Sequence, residues 1–280
     1  MHSLRPAKAA GLFLFTLFLS FAAALSAAAA DRARVEAFLK TTGFDVALES
    51  IKLSAEDAPR MLGLEARDFG ASWTLMSRDV FDVSDMQEDA VDILSEALSD
   101  EALAHAAEFY ASDLGQKLVE AENAAHLRER TEKRDEGGRI LADMMDNDQP
   151  RLAVLERMIN AIGSEEQSLR AVNELEIRFL MAAQQAGVIR LKIDEQGLRA
   201  AQKEKAEEMV KQMRLSSLAS SAATYKSFSD EELTEYTEAL ETPLMQEVYE
   251  LMNAVQYEIM ADRFEEVAAR LAELNPGQEL

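Results

Sequence analysis

Hydrophobic residues recur every three or four positions through most of the chain, which is the spacing of one face of an α-helix. The clearest stripe, near the carboxyl end, consists of Leu244, Val248, Leu251, Val255, Ile259, Phe264, Val267 and Leu271. Thr242 and Pro243 precede it as a hydroxyl cap and a first-turn proline. Asn275 and Pro276 follow it and are typical of a helix end. The pattern therefore predicts one long helix over residues 243–274.

The other helices are predicted from the same spacing together with capping residues. Ser164 with Gln167, and Ser229 with Glu232, have the spacing of capping boxes. The predicted ranges are 33–51, 55–64, 66–80, 85–97, 100–111, 114–135, 151–162, 165–186, 195–226 and 230–240. A short alternating run over 188–193 has no partner run, so we interpret it as a connector rather than a strand. The sequence thus predicts an all-α fold.

A weak internal repeat indicates two related helical units. The segment 98–124 aligns with 228–254 without a gap. Identical pairs include Ser99 with Ser229, Asp100 with Asp230, Leu103 with Leu233, Gln116 with Gln246, Glu120 with Glu250 and Asn123 with Asn253. Upstream, a slightly smaller offset pairs Gly43 with Gly163. We predict multi-helix units over 31–130 and 151–280, packed as hairpins or bundles, and a linker over 131–150.

The first thirty residues have the pattern of a cleaved signal peptide. Arg5 and Lys8 precede an apolar stretch of about 15 residues, shorter than the roughly 20 that a membrane span needs. A run of small residues ends at Ala30, where we predict the cut. An uncleaved anchor is the alternative. We expect a periplasmic or secreted protein that does not span the membrane after cleavage, because no later segment is long and apolar enough.

Composition narrows the classes of function. The chain has no cysteine, which excludes disulfides, thiol catalysis and thiolate metal sites. Its formal net charge of −23 disfavours nucleic acids and anionic lipids as partners, because binding either depends on basic residues that neutralise phosphates.

A motif in the first unit carries a family resemblance. It follows the acidic helix start at Ser99 and consists of Phe109, Tyr110, Ser112, Gly115 and Lys117. The segment resembles the bacterial domain-of-unknown-function family numbered twenty fifty-nine, whose members carry Phe-Tyr-x-Ser-Pro-x-Gly-x-Lys. The resemblance implies an exported, all-helical protein and brings no catalytic residue with it.

The match departs from the family pattern in places. Asp113 stands where the family usually has proline, and the second copy keeps Thr242 and Pro243 but lacks the aromatic pair. We interpret the motif as a structural device, with a partner-binding surface as the alternative. If the motif is a structural device, Ser112 caps the next helix, and Gly115 lets the adjoining helix approach closely.

Two histidines are flanked by glutamates at helical spacing. The first set is Glu101, His105 and Glu108, and the second is Glu122, His126 and Glu129. Carboxylates and imidazole can bind a metal, but di-metal helical bundles use Glu-x-x-His, whereas the spacing here is Glu-x-x-x-His. We therefore interpret both sets as exposed helix faces, and we expect neither a metal nor another cofactor.

Two classes of function remain. The first is a non-catalytic binding or interaction module of the bacterial cell envelope, with an unknown protein or an apolar ligand as its partner. The alternative is a hydrolase or metal-dependent enzyme whose site is assembled from scattered glutamate and histidine. A deep pocket that contains His105 or His126 with converging carboxylates would favour the enzyme. A long apolar groove would favour binding.

Overall fold

The computed structural model describes residues 32–54, 57–62, 65–147 and 149–274, and within these ranges the regular elements are all helical. The predicted all-α fold is therefore confirmed. The predicted signal peptide, its cut after Ala30 and the stop at Asn275 lie outside the described residues. No helix in the described ranges is long and apolar enough to cross a lipid bilayer.

The helices are numbered in chain order. They are α1 (32–42), α2 (Phe44–Ile51), α3 (Asp57–Met61), α4 (Gly70–Val80), α5 (Val83–Ala97), α6 (Asp100–Tyr110), α7 (Asp113–His126), α8 (Arg130–Asp146), α9 (Pro150–Ala161), α10 (Glu165–Gln185), α11 (Glu195–Thr224), α12 (Asp230–Leu240) and α13 (Pro243–Leu274). Short 3-10 turns cover Lys52–Ser54 and Ala66–Phe69.

Several helices begin at the capping residues that the sequence predicts. Complete capping boxes start α10 at Ser164 and α12 at Ser229, and each satisfies backbone amides that have no partner inside the helix. The 188–193 run is an irregular connector, as predicted. These local signals depend only on neighbouring residues, which is why the sequence places these ends well.

The predicted helix over 33–51 is wrong in one respect, because Gly43 divides it into α1 and α2. Gly43 has a φ of 71°, a left-handed conformation that glycine adopts without steric cost. A Cβ there would overlap the Asn123 side chain and lie 3.0 Å from Val119 Cγ1 of α7. The break therefore allows the chain to turn tightly against α7.

The predicted helix over 114–135 is also wrong, because two helices cover that range, and most of the predicted linker over 131–150 is helical. Helix α7 ends at His126, and α8 starts after Glu129, whose carboxylate accepts a hydrogen bond of 2.8 Å from Glu132 N. Helix α8 then runs through Gly137 and Gly138, residues that usually weaken a helix. Close packing of α8 along α11 compensates, since a Cβ on Gly137 would lie only 2.7 Å from the backbone carbon of Ala219.

Helix α13 occupies the centre of the fold. It packs against α4, α5, α6 and α10, while α8 lies along α11 and α9 lies against α12. Its buried side chains surround more of the helix than a single stripe does, from Met245 and Val248 to Phe264 and Leu271. One continuous cluster of buried hydrophobic side chains runs through both predicted units.

Two glycine–asparagine contacts recur at equivalent positions. Gly43 lies beside Asn123 of α7, and Gly163, with a φ of 137°, lies beside Asn253 of α13. Asn253 Nδ2 donates a 2.7 Å hydrogen bond to the carbonyl oxygen of Ile162. Each contact joins the turn after a helix to a residue of a helix far along the chain, in the last turn of α7 for Asn123 and inside α13 for Asn253.

Candidate functional site

The Phe-Tyr motif joins the end of α6 to the start of α7. Ser112 Oγ accepts a hydrogen bond of 3.0 Å from Gly115 N and so caps α7, as the sequence predicts. A Cβ on Gly115 would lie 2.5 Å from the Cα of Tyr110, so only glycine permits this close approach. The two residues set the angle at which α7 leaves α6.

Lys117 connects this helix pair to the pair formed by α12 and α13, whose junction contains Thr242 and Pro243. Lys117 Nζ lies 2.5 Å from Glu232 Oε1 at the start of α12 and 4.3 Å from the centre of the Phe228 ring. Thr242 accepts a hydrogen bond from Met245 N at 3.4 Å, and Pro243 is the first residue of α13.

A reciprocal contact runs from α13 back to α6. Ser99 Oγ, at the start of α6, donates a 2.8 Å hydrogen bond to Glu247 Oε1. In the alignment of 98–124 with 228–254, Glu247 is the counterpart of Lys117, and Ser99 is the counterpart of Ser229. The two helix pairs thus touch one another's starts.

The aromatic pair of the motif points into the interior. Tyr110 is only 2 % exposed and meets the partly buried Phe109 ring edge-on, with centroids 5.2 Å apart. Phe109 in turn stacks on Tyr236 of α12 at 5.9 Å with an interplanar angle of 9°. Aromatic pairs of these two geometries stabilise a core beyond the area that they bury.

Behind this aromatic layer, four tyrosine hydroxyls gather around one glutamate. We refer to Tyr110, Tyr225, Tyr236 and Tyr249 as the tyrosine cluster. Tyr225 and Tyr236 both donate to Oε1 of Glu122, over 2.7 and 2.9 Å. The Tyr249 hydroxyl lies 3.0 Å from that of Tyr236 and also contacts that of Tyr110. These side chains come from α6, α7, α12, α13 and the end of α11.

Burial changes the acid–base chemistry of this cluster. It raises the pKa of the Glu122 carboxyl above its usual value, and the hydrogen bonds from Tyr225 and Tyr236 oppose that shift only in part. Burial also raises the pKa of each tyrosine in the cluster, and the nearby Glu122 charge adds to the shift. The tyrosines therefore remain protonated and act as hydrogen-bond donors at neutral pH.

Glu122 and three members of the cluster, Tyr225, Tyr236 and Tyr249, line a cavity of about 300 Å³, near the lower limit of the roughly 300–1,000 Å³ common for small-molecule sites. The rest of the lining includes Thr42, Phe44, Asn123, Thr224, Met252 and Lys133. Glu122 is the sole acidic residue of the lining in the described part of the chain. The cavity is therefore small, largely aromatic at one end, and lined by a single carboxylate.

The second oxygen of Glu122 has no hydrogen-bond partner among the residues that the structure describes. Both hydrogen bonds from the tyrosine cluster end on Oε1, and Oε2 accepts none from the described residues. Oε2 is not fully buried, and the Glu122 side chain lines the cavity. This oxygen is therefore accessible from the cavity. A carboxylate oxygen thus remains available inside a partly buried pocket.

We expected the first histidine set to lie on an exposed helix face, and the structure departs from this at His105 alone. His105 is partly buried, and its Nε2 lies 3.1 Å from Thr242 Oγ1, while Glu101 and Glu108 are exposed. Helix packing between α6 and α13 covers the ring. The imidazole therefore connects the two helix pairs.

In the second set, Glu122 and His126 share one face of α7, but Glu129 lies outside that helix. Glu122 is partly buried in the tyrosine cluster, His126 lies at the pocket rim, and Glu129 caps α8 beyond the end of α7. Burial and the charge of Lys133 lower the pKa of His126, so this imidazole is neutral at neutral pH. Across the described ranges, no three histidine, aspartate or glutamate side chains are grouped so that they could hold a metal ion.

The sequence analysis missed Tyr225, Tyr236 and Tyr249 as site residues. A usable signal was present, because the chain has five tyrosines and three of them recur at intervals of 11 and 13 residues late in the second unit. A polar aromatic residue on an apolar helix face needs a hydrogen-bond partner when it is buried. Several tyrosines on apolar helix faces therefore indicate hydrogen-bonded polar groups inside the core.

Replacing Ser112 by alanine is expected to lower the free energy of unfolding by about 1 kcal/mol, because one amide of α7 loses its cap. Phe109→Ala should cost about 2 kcal/mol, less than the roughly 3–5 kcal/mol of a fully buried aromatic ring, since Phe109 is only partly buried. Urea denaturation followed by circular dichroism measures both. Ser216→Ala, an exposed serine inside α11, is the control and should cost nothing. Equal stability of the Ser112 and Ser216 variants would contradict the capping role.

Comparison with known proteins gives one match. Residues 84–134 match the family model described as "Uncharacterized protein conserved in bacteria (DUF2059)". The matched segment extends from α5 to the start of α8 and contains the Phe-Tyr motif and Glu122. Searches of curated proteins and of solved structures found no match. Over residues 84–134 the chain is therefore similar to the DUF2059 family, the family that its Phe-Tyr motif resembles.

Proposed function

We propose that the protein is a non-catalytic binding protein of the bacterial cell envelope that holds a small polar ligand in the Glu122 pocket. The observation that carries this proposal is Glu122 Oε2, which accepts no hydrogen bond from the described residues although its side chain lines a cavity with three tyrosines. A partly buried carboxylate oxygen that accepts no hydrogen bond costs stability, and a bound ligand with hydrogen-bond donors removes that cost. The polar end of the pocket favours such a ligand over the apolar ligand expected from the sequence.

The pocket also contains one feature that favours the enzyme alternative. Glu122 and His126 stand one helical turn apart on α7, and both contribute to the lining. A hydrolytic or metal-dependent site needs further converging groups, and the lining contributes no second carboxylate. Binding is therefore the better-supported function. A His126→Gln variant that still binds the ligand agrees with this choice.

The decisive experiment recovers the ligand itself. The mature protein is purified gently from its own envelope, and native mass spectrometry compares its mass with that of the denatured chain. We expect a bound small molecule in the wild type and in Glu120→Gln, an exposed position on the same helix. Glu122→Gln should lose the molecule. A wild-type protein without any added mass, or a Glu122→Gln variant that keeps it, would contradict the proposal.

We also propose export through the predicted signal peptide, with a periplasmic or secreted mature chain that begins at Asp31. Support comes from Arg5 and Lys8, the apolar stretch and the small-residue run up to Ala30. Amino-terminal analysis of the protein recovered from its host tests this directly. A chain that retains Met1 would contradict it.

We further propose that the units 31–130 and 151–280 are two divergent copies. The recurring contacts of Gly43 with Asn123 and of Gly163 with Asn253 support this, since the sequence repeat pairs the two glycines and pairs the two asparagines. An experimental structure in which α6–α7 and α12–α13 do not superpose when 98–124 is aligned with 228–254 would contradict it.

A further inference from the structure

We infer that the ligand of the Glu122 pocket carries an ammonium group, which binds the free oxygen of Glu122 beside the tyrosine rings. This inference rests on the proposed function and goes further, because it names the chemical class of the ligand. It follows from the donors and acceptors around the cavity.

The tyrosine hydroxyls around Glu122 donate their protons to other groups of the protein. Tyr225 and Tyr236 donate to Glu122, and the contacts among the remaining hydroxyls let Tyr110 donate to Tyr249 and Tyr249 donate to Tyr236. All four hydroxyl protons of the tyrosine cluster are then used, and Glu122 is the final acceptor. A carboxylate has no proton to donate when it is ionised.

Two threonines in the lining also donate their hydroxyl protons within the protein. Thr42 Oγ1 donates to the carbonyl oxygen of Phe38 at 3.0 Å, and Thr224 Oγ1 donates to that of Ser220 at 2.9 Å. Their hydroxyl oxygens can therefore only accept a further hydrogen bond. Together with Glu122 Oε2, they give the lining three oxygen atoms that can only accept, beside the side-chain amides of Asn123, Asn253 and Gln256, and these acceptors favour a ligand with donors.

The charge of Glu122 distinguishes an ammonium from a neutral donor. A hydroxyl or an amide would hydrogen-bond Oε2 but leave the partly buried negative charge uncompensated, whereas an ammonium neutralises it with charge-assisted hydrogen bonds. Tyrosine rings also attract cations through their faces. The acidic chain, with a net charge of −23, raises the local concentration of small cations around it.

Lys133 is the opposing charge on the pocket wall. Its Nζ donates a 3.3 Å hydrogen bond to the carbonyl oxygen of Ala125, in the last turn of α7, where it interacts favourably with the helix dipole. A ligand carboxylate would be attracted to Lys133 while its ammonium binds Glu122. Simple amines and amino-acid-type zwitterions are therefore two sources of the same ammonium chemistry, and the experiment separates them.

The test is isothermal titration calorimetry of the mature protein with probes of one size. Butylamine and putrescine are the amines, γ-aminobutyrate is the zwitterion, and butyramide and butyrate lack the ammonium. We expect at least one ammonium probe to bind and the last two not to bind. Glu122→Gln should weaken that binding by about ten-fold or more, because a charge-assisted hydrogen bond is lost. Glu120→Gln should leave it unchanged, and Lys133→Gln should weaken γ-aminobutyrate alone.

The acid–base behaviour of Glu122 gives a second readout. The charged and titratable groups around it are Tyr110, Tyr225, Tyr236, Tyr249, His126 and Lys133. Protonation removes the negative charge, so affinity for the amine should fall as the pH falls through the raised pKa of Glu122. His126 charges in more acidic solution and would repel the amine as well. His126→Gln should therefore keep the pH dependence, and Glu122→Gln should abolish it.

The outcomes separate the two proposals. If butyramide or butyrate binds as well as the amines, or if no ammonium probe binds at millimolar concentration, the ammonium inference fails. The proposed function nevertheless stands when the envelope-purified protein carries another small molecule that Glu122→Gln loses. It fails when the envelope-purified protein carries none.

Discussion

Replacing Tyr236 by alanine is expected to lower the free energy of unfolding by about 3–5 kcal/mol, the range for deleting a large buried aromatic side chain. Tyr236 is 2 % exposed, stacks on Phe109 and donates a hydrogen bond to Glu122. Alanine removes the packing and opens a cavity between α6, α12 and α13. Urea denaturation followed by circular dichroism measures the change, with the urea dependence compared between variants.

Tyr236→Phe is the matched control for the ring. It keeps the stack on Phe109 and removes only the hydroxyl that donates to Glu122, so we expect a cost of about 1–3 kcal/mol. The difference between the two variants then reports the packing of the ring alone. If alanine and phenylalanine cost the same, Tyr236 stabilises the fold through its hydroxyl, and our account of the aromatic layer is wrong.

Gly137→Ala is expected to destabilise the protein by about 1–3 kcal/mol or more, as overpacking of a tight contact usually does. A Cβ at this position would lie 2.7 Å from the backbone carbon of Ala219 in α11, and backbone cannot move aside as a side chain can. Helices α8 and α11 must separate to admit the methyl group. Thermal and urea denaturation both measure the loss.

The adjacent glycine is the control for this prediction. Gly138 stands in the same helix, and a Cβ there meets nothing within 4 Å. Gly138→Ala should therefore stabilise the protein by up to about 1 kcal/mol, because alanine favours the helical conformation. If both substitutions stabilise the protein, α8 and α11 do not make the close contact described at Gly137.

The sequence predicted those helices whose ends carry a local signal. Ser164 and Ser229 identify the starts of α10 and α12, and the stripe after Pro243 identifies α13. Helix α8 was missed because its glycine pair and charged residues resemble a linker. Its stability comes from contact with α11, which lies far along the chain. Local propensity cannot report such a contact.

The candidate site was predicted less well, for a related reason. The sequence identified Tyr110 through the motif, and Glu122 as a member of a histidine set, but gave no reason to join them. In the structure the hydroxyl of Tyr110 contacts that of Tyr249, 139 residues away. Helical periodicity indicates which side of its own helix a residue occupies. It does not indicate which helices meet.

The central position of α13 has a consequence for the order of folding. Helices α4, α5 and α6 pack against a helix that is synthesised well after them, and the pocket needs Tyr249 from that same helix. Chains are synthesised at roughly 5–20 residues per second, so α13 is completed many seconds after α4, α5 and α6. The nascent amino-terminal half therefore cannot complete its packing until α13 has been synthesised, and a chain truncated before Pro243 would expose a wide hydrophobic surface to chaperones and proteases.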